Sequence, residues 1–317
     1  MQRATLAPAP VGGTIGALAP STLRVHAALL LVSILFGANY PFTKRLLADI
    51  PPSVWVVFRI ASAAALLLPL AAWLGRGRAW PGMRHWPLLA LASLLGLVGN
   101  QVLFSEGLAR TTSEHSSIIN ACIPMWTLLA AVALGQERLG AARIVAIVSA
   151  LGGVAWLLGV DRVLFAKDDD AGATLLGDLL TMANGMLFAL HLVLLRRIGK
   201  AHDPWHTTAL MFAFGVPMVA CYGGGSIDAA AVDAVLTPPL VWFALYGIVG
   251  CTVVSYLLNT WALRHTHSSQ VALYINVQPL VAVVVNAAMG ADLPGHRFFT
   301  AFALVAFGLW LHVRSAR

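Results

Sequence analysis

Apolar stretches of helix length, separated by short polar turns, set the rhythm of this chain. A run of about 20 apolar residues suffices to cross a hydrocarbon core about 30 Å thick. Ten such runs fall near residues 26–46, 52–74, 86–108, 112–135, 141–160, 174–196, 206–224, 238–262, 267–290 and 296–314. The longest connections, "DRVLFAKDDDAGA" and "GGGSIDAAAVDAVLTP", leave no room for an extramembrane domain.

The polar residues inside these runs fall into stripes at 3.6 residues per turn. In the first run Gly37, Tyr40, Pro41 and Lys44 share a face. Asn39 falls nearly opposite with Thr43, where it is expected to bond a neighbouring helix. The fourth run aligns Ser113, Ser116, Ser117, Asn120, Pro124 and Thr127, and the sixth aligns Asn184 and His191 with Phe188. The eighth offers Thr252, Ser255, Tyr256 and Asn259, the ninth Gln270, Tyr274 and Gln278.

A polar side chain within a span is costly unless it faces a cavity or a partner. The candidates for a shared polar cavity are therefore Tyr40, Lys44, Arg59, Gln101, Ser117, Asn120, Asn184, His191, Thr252, Tyr256, Asn259, Gln270, Tyr274 and Gln278. Close packing and hydrogen bonding between helices is the competing use of the same small and amide residues. Gly37, Pro41, Pro124 and Pro279 are expected to bend their helices. Arg59 is the sharpest signal, because insertion scales charge a central arginine roughly 2.5–3.5 kcal/mol. It is expected to pair with Glu106 or Glu114 at an outer gate, or to meet a substrate carboxylate. Glu106, Glu114 and His191 are candidates for proton coupling.

The text also repeats. "GLVG" (96–99) returns as "GIVG" (247–250), and "GLARTT" returns loosely as "WALRHT". "PMWTLLAAVALGQERLG" (124–140) matches "PLVAVVVNAAMGADLPG" (279–295) without a gap, and "GANYPFTK" lines up with "ALHLVLLR". An odd number of spans per unit makes the second unit enter the membrane from the opposite side, an inverted repeat that places a site near the midplane.

Charge gives the same flip. With the N-terminus inside, thirteen of the twenty Lys and Arg residues fall on the cytoplasmic side and six outside, with Arg59 alone inside a span. That bias is the positive-inside pattern, and it puts both termini in the cytoplasm. The composition, 59% hydrophobic and 10% charged, excludes a soluble domain, which carries about 25% charged residues. The net charge of +7 is scattered singly and in pairs between apolar runs, so it anchors loops and does not mark a nucleic-acid surface. Cys122, Cys221 and Cys251 all sit in apolar runs and read as small core residues.

No motif calls for a metal or a cofactor. The histidines of "HDPWH" and "HTH" fall in short turns and read as solvated loop residues. Neither HExxH nor GxSxG occurs. The leading expectation is a transporter, with an intramembrane enzyme or a channel on a ten-helix bundle as rivals.

The segments "FGANYPFTK", "FRIASAAALLLPL", "GLVGNQVLFSEGLARTTSEHSSIINACIPMWTLLAAVALGQERLG" and "YLLNTWALRHTHSSQVALYINVQPL" resemble the EamA family of the drug/metabolite transporter superfamily over residues 25–315. The second copy ends in "ADLPG" where the first has "ERL". The resemblance implies ten helices in two inverted five-helix halves and transport, often export, of small metabolites. The resulting expectation is an all-α integral membrane protein with ten transmembrane helices in two inverted repeats. Residues 1–24 form a flexible tail, 25–160 the first unit and 174–315 the second. The partners are the lipid bilayer and a small-molecule substrate, an amino acid or related solute, with oligomeric state open. The expected location is a bacterial-type inner (plasma) membrane.

Overall fold

The computed structural model describes residues 22–135, 140–157, 171–199 and 202–315. Residues 1–21 of the expected N-terminal tail, the "ERL" of the first unit and the loop bearing Asp168, Asp169 and Asp170 lie outside the described residues, and the tail's last three residues, 22–24, open the first helix. Helices occupy all ten apolar runs: α1 (Thr22–Leu46), α2 (Pro52–Leu74), α3 (Met83–Arg110), α4 (Ser113–Ala133), α5 (Ala141–Leu157), α6 (Ala171–Gly199), α7 (Pro204–Gly223), α9 (Leu240–His265), α10 (Ser268–Ala288) and α11 (His296–Ser315). A short α8 (Ala229–Leu236) lies in the connection before α9, capped by Asp228. Among the described residues, eight helices are both long and apolar enough to cross a membrane, namely α1 to α4, α6, α7, α9 and α10.

Polarity is distributed as lipid demands. Leu30, Leu31, Ile34, Leu66, Trp73, Val148 and Val284 are exposed, whereas Asn39, Arg59, Asn100, Gln101, Asn120 and Asn184 are buried. In water so much exposed apolar surface would drive association; in a bilayer it is the favourable arrangement. The protein is therefore a multi-pass integral membrane protein. Helices α5 and α11 pack along each other at the periphery, joined by Ser149 Oγ donating to the Leu304 carbonyl (2.9 Å) and Trp156 Nε1 donating to Thr300 (2.8 Å).

Four helices depart from regular α geometry, at corresponding landmarks of the repeated text. In α3 the segment Leu94–Gly99, which carries "GLVG", is π-helical, and in α9 so is Tyr246–Val254, which carries "GIVG". Such widened turns free carbonyls and are common at functional sites. Helix α4 breaks after Asn120 and restarts at Ile123 with Pro124 in its first turn. Helix α10 tightens into a 3₁₀ turn at Tyr274–Val277 and restarts at Gln278 with Pro279 in its first turn. A proline at the start of a limb loses no intrahelical bond, so both prolines stabilise the restart. After their second limbs the chain turns at Gly135 and Gly290, both with positive φ (66° and 87°), the left-handed stop that glycine accepts without strain.

Helix α1, by contrast, runs continuously through Gly37 and Pro41. Gly37 serves close approach: a Cβ there would lie 2.6 Å from Val281 Cβ and 2.9 Å from the Gln278 carbonyl. The result is a tight crossing of α1 against α10.

Candidate functional site

The interrupted and widened turns converge on one cavity. Its walls are Phe36, Asn39 and Tyr40 of α1, Arg59 of α2, Asn100, Gln101 and Phe104 of α3, Asn120 and Ile123 of α4, Asn184 and Phe188 of α6, Tyr256 of α9, and Ile275 and Gln278 of α10. Asn120 ends the first limb of α4 and Gln278 begins the second limb of α10, so the breaks themselves present polar side chains to the space. The space is narrow, about 50 Å³ for the centres of water-sized molecules, room for a few waters. A smaller pocket adjoins it, sharing Phe36, Phe188, Ile275 and Gln278 and adding Leu29, Val32, Ser33, Asn259 and Val271.

Among the described residues, Arg59 is the only charged side chain lining the main cavity. It is 1% exposed, and its Nε donates to Thr252 Oγ1 at 2.6 Å. Thr252 in turn donates to the Gly247 carbonyl five residues earlier (2.7 Å), using an acceptor that the π-helical turn makes available. The guanidinium carbon lies 5.7 Å from the Trp55 ring centroid, within cation–π range. Its Nη1 has no hydrogen-bond partner. Among the described residues no carboxylate pairs with it. A buried charge costs several kcal/mol unless compensated, so Arg59 is a strong centre of positive potential in an otherwise uncharged chamber.

An amide chain fixes the opposite wall. Asn184 Nδ2 donates to the Asn100 carbonyl (2.9 Å), Asn100 Nδ2 to the Asn184 carbonyl (3.3 Å), and Gln101 Nε2 to Asn100 Oδ1 (3.2 Å) and the Tyr256 hydroxyl (3.3 Å). The Tyr256 hydroxyl in turn donates to the Gly96 carbonyl (2.7 Å) in the widened turn of α3. Across the cavity Tyr40 donates to Gln278 Oε1 (3.1 Å). Gln101 Oε1 and Asn120 Oδ1 are buried without partners.

Of the residues expected at the site, Tyr40, Arg59, Gln101, Asn120, Asn184, Tyr256 and Gln278 meet at this cavity, and Asn259 lines the adjoining pocket. The others do not. Lys44 turns away and caps the C-terminal end of α3, donating to the carbonyls of Leu108 (2.9 Å), Ala109 (3.2 Å) and Thr111 (2.7 Å), where a cation is favoured by the helix dipole. Ser117 bonds back to the Glu114 carbonyl within α4. The His191 ring packs directly on Gly96, with Nδ1 at 2.9 Å from the Ala92 carbonyl. Thr252 stands behind Arg59 and does not line the cavity, Gln270 bonds Thr266, and Tyr274 bonds His26.

The expected pairing of Arg59 with Glu106 or Glu114 is absent. Glu106 pairs with Arg110 one turn along and accepts from Tyr222, while Glu114 accepts from Asn286 and Ser113. His206, read as a solvated loop residue, is buried against Trp80 and Gly75. Asn39 lines the cavity beside Gly247 of α9, and its hydrogen bond is accepted from Thr43 on its own helix (3.1 Å). Asn39 and Asn100 are the polar site residues that stripe counting overlooked, and their apolar context was the available signal.

Apolar helices enclose a polar chamber with one uncompensated charge, and the relatives of the chain give the class of protein, a membrane transporter. The EamA-like transporter family matches the chain twice, over residues 23–159 and 175–314, and the chain belongs to that family. An uncharacterized transporter of Archaeoglobus fulgidus is 23% identical over 261 residues, covering 82% of this chain and 87% of that protein. The uncharacterized transporter YyaM of Bacillus subtilis is 23% identical over 272 residues, covering 86% and 88%. A solved crystal structure shares the fold with a TM-score of 0.63 at 17% identity, covering 92% of this chain and 98% of that one.

Proposed function

We propose that the protein is a secondary transporter that moves a small polar or amphipathic metabolite, an amino acid or related solute, by alternating access. In this reading ten helices span the membrane as two inverted five-helix halves, with both termini cytoplasmic. The observation that carries it is the cavity, whose walls come from α1 to α4 and also from α6, α9 and α10. A chamber shared by two halves can be exposed to either side when one half rocks against the other. The paired π-helical turns, paired interrupted helices and paired left-handed glycines support a structural repeat. The Lys/Arg bias supports the inversion, and the outward direction rests on resemblance to the family.

The test is reconstitution. A metabolite panel is screened by thermal shift on purified protein, and solutes that stabilise it are tested in liposomes. Saturable counterflow is the expected result. Unsaturated conductance would replace the carrier with a channel, and consumption of a solute without a second compartment would replace it with an enzyme.

A further inference from the structure

We propose that the solute taken by this cavity is a small carboxylate, with the anionic group held by Arg59 and an adjacent hydrogen-bond donor received by Gln101 and Asn120. The proposal rests on the transporter reading of the cavity and adds the chemistry of its cargo.

Three residues that line this space each hold a buried polar atom without a partner: one charged donor, Arg59 Nη1, and two acceptors, Gln101 Oε1 and Asn120 Oδ1. Buried polar atoms without partners are uncommon in folded proteins, and here they collect where a ligand would lie. The orientation of Gln101 follows from its neighbours. Its Nε2 is committed to Asn100 Oδ1, whose own Nδ2 is committed to the Asn184 carbonyl, so the oxygen of Gln101 is the end left free.

Water could satisfy the two amide oxygens, but a few neutral waters leave the guanidinium charge uncompensated. An anion removes that cost, whereas a cationic solute would add to it. A planar carboxylate also suits the fork of donors that arginine presents. The two acceptors then call for a donor on the same solute, an ammonium or a hydroxyl. The apolar remainder fits against Phe36 and Phe188, which meet edge to face with ring centroids 6.4 Å apart. The narrowness of the space limits the solute to a small one and requires these rings to part on its entry.

Binding to the purified full-length protein tests this without a transport assay. The probes are leucine and phenylalanine, each as the free acid, the primary amide, the 2-hydroxy acid and the acid lacking any 2-substituent, compared by thermal shift and equilibrium binding. At least one free acid is expected to bind, with its amide about tenfold or more weaker, because the amide replaces the anion that Arg59 requires. The unsubstituted acid is expected to bind several-fold more weakly than the substituted ones, since it leaves Gln101 and Asn120 unpaired. The comparison of amino and hydroxy acids decides which donor is preferred.

Arg59→Gln should erase the preference for acid over amide, and Arg59→Lys should retain part of it. A residue that served only to hold helices together would change stability and leave that preference intact. If Arg59→Gln does not fold, Arg59→Lys and the comparison on unaltered protein still decide. Equal binding of acids and amides, or binding of none of the acids, overturns the proposal. Counterflow of solutes lacking a carboxylate would remove the Arg59 contact while keeping the carrier. Arg59-dependent binding of acids without any counterflow would do the reverse.

Discussion

The two ends of the cavity are closed in different ways. At the end where α1 finishes, Asp178 of α6 is buried and accepts from the Thr111 hydroxyl, with the His115 ring nitrogen 3.1 Å from its other oxygen. Lys44 ties α1 to the carbonyls around Thr111, Glu114 of α4 accepts from Asn286 of α10, and Glu106 accepts from Tyr222. Gly107 and Gly177 let α3 and α6 touch backbone to backbone: a Cβ on Gly177 would lie 2.8 Å from the Thr111 nitrogen. At the end where α1 begins, α1 and α10 are joined by His26 and Tyr274, both partly exposed. The smaller pocket runs toward that end, between Leu29 of α1 and Val271 of α10. At the turns before α3 and α7, Arg78, 61% exposed, pairs with Asp203, whose side chain is 5% exposed.

The contrast lies in the burial of both partners: Asp178 and Thr111 are both buried, whereas each of these links at the His26 end has at least one exposed or partly exposed partner. Asp178 is a desolvated carboxylate satisfied on both oxygens, so its links are directional and expensive to break. The His26–Tyr274 contact competes with water and contributes little. In the proposed cycle the described state is thus locked at the Asp178 end and lightly closed at the His26 end. Opening from this state would begin at the His26 end.

Asp178→Ala is the most damaging way to break that contrast. It leaves the buried Thr111 hydroxyl without its acceptor and frees His115, and it should cost about 2–3 kcal/mol. The check is reversible unfolding in mixed micelles, with the melting temperature as a second readout. A loss as small as that of an exposed polar substitution would show that the lock contributes nothing.

Tyr274→Phe is the matched change at the other end. It removes one hydroxyl from a partly wet contact, so its cost should be about 0.5–1 kcal/mol, well below that of Asp178→Ala. Unfolding under identical conditions gives the ratio of the two ends. Equal costs would mean that the ends are equivalent and that the described state favours neither side.

Much of this arrangement was legible in the text because a bilayer makes polar residues conspicuous. Arg59, Gln101, Asn120 and Asn184 stand out in runs where nothing polar is tolerated without a reason, and all four reach the cavity. The repeated "GLVG" and the aligned prolines marked where helices lose regularity. What stripe counting missed has the same physical origin. A fixed 100° per residue fails across the π-helical turn of α3 just before Asn100 and across the break in α4. Asn39 follows the opposite lesson, since a chamber bounded by seven helices takes side chains from a wide arc of α1. The fate of Lys44 depended on where the carbonyls of α3 end, which is a tertiary fact. Asp178 passed unnoticed because its partners lie in a different half of the chain.

The His26 end also contains the group that most plainly responds to pH. His202, in the turn before α7, stacks edge to face on His85 with ring centroids 4.5 Å apart, and its Nε2 is buried without a partner. Burial, and then the neighbouring His85 and Arg84 charges, hold its pKa below the ordinary histidine value. The unfolded chain therefore binds a proton more readily than the folded one, and stability must fall as pH drops through about 6.5, the unperturbed histidine pKa. The loss levels off once pH is below the depressed folded value. The effect is the smallest of the three, because the ring is partly solvated and its charge is screened. Melting at about pH 7.5 and about pH 5.5 should show a decrease that His202→Gln reduces. If His202→Gln loses as much stability in acid as the unaltered protein, the sensitivity belongs to another group.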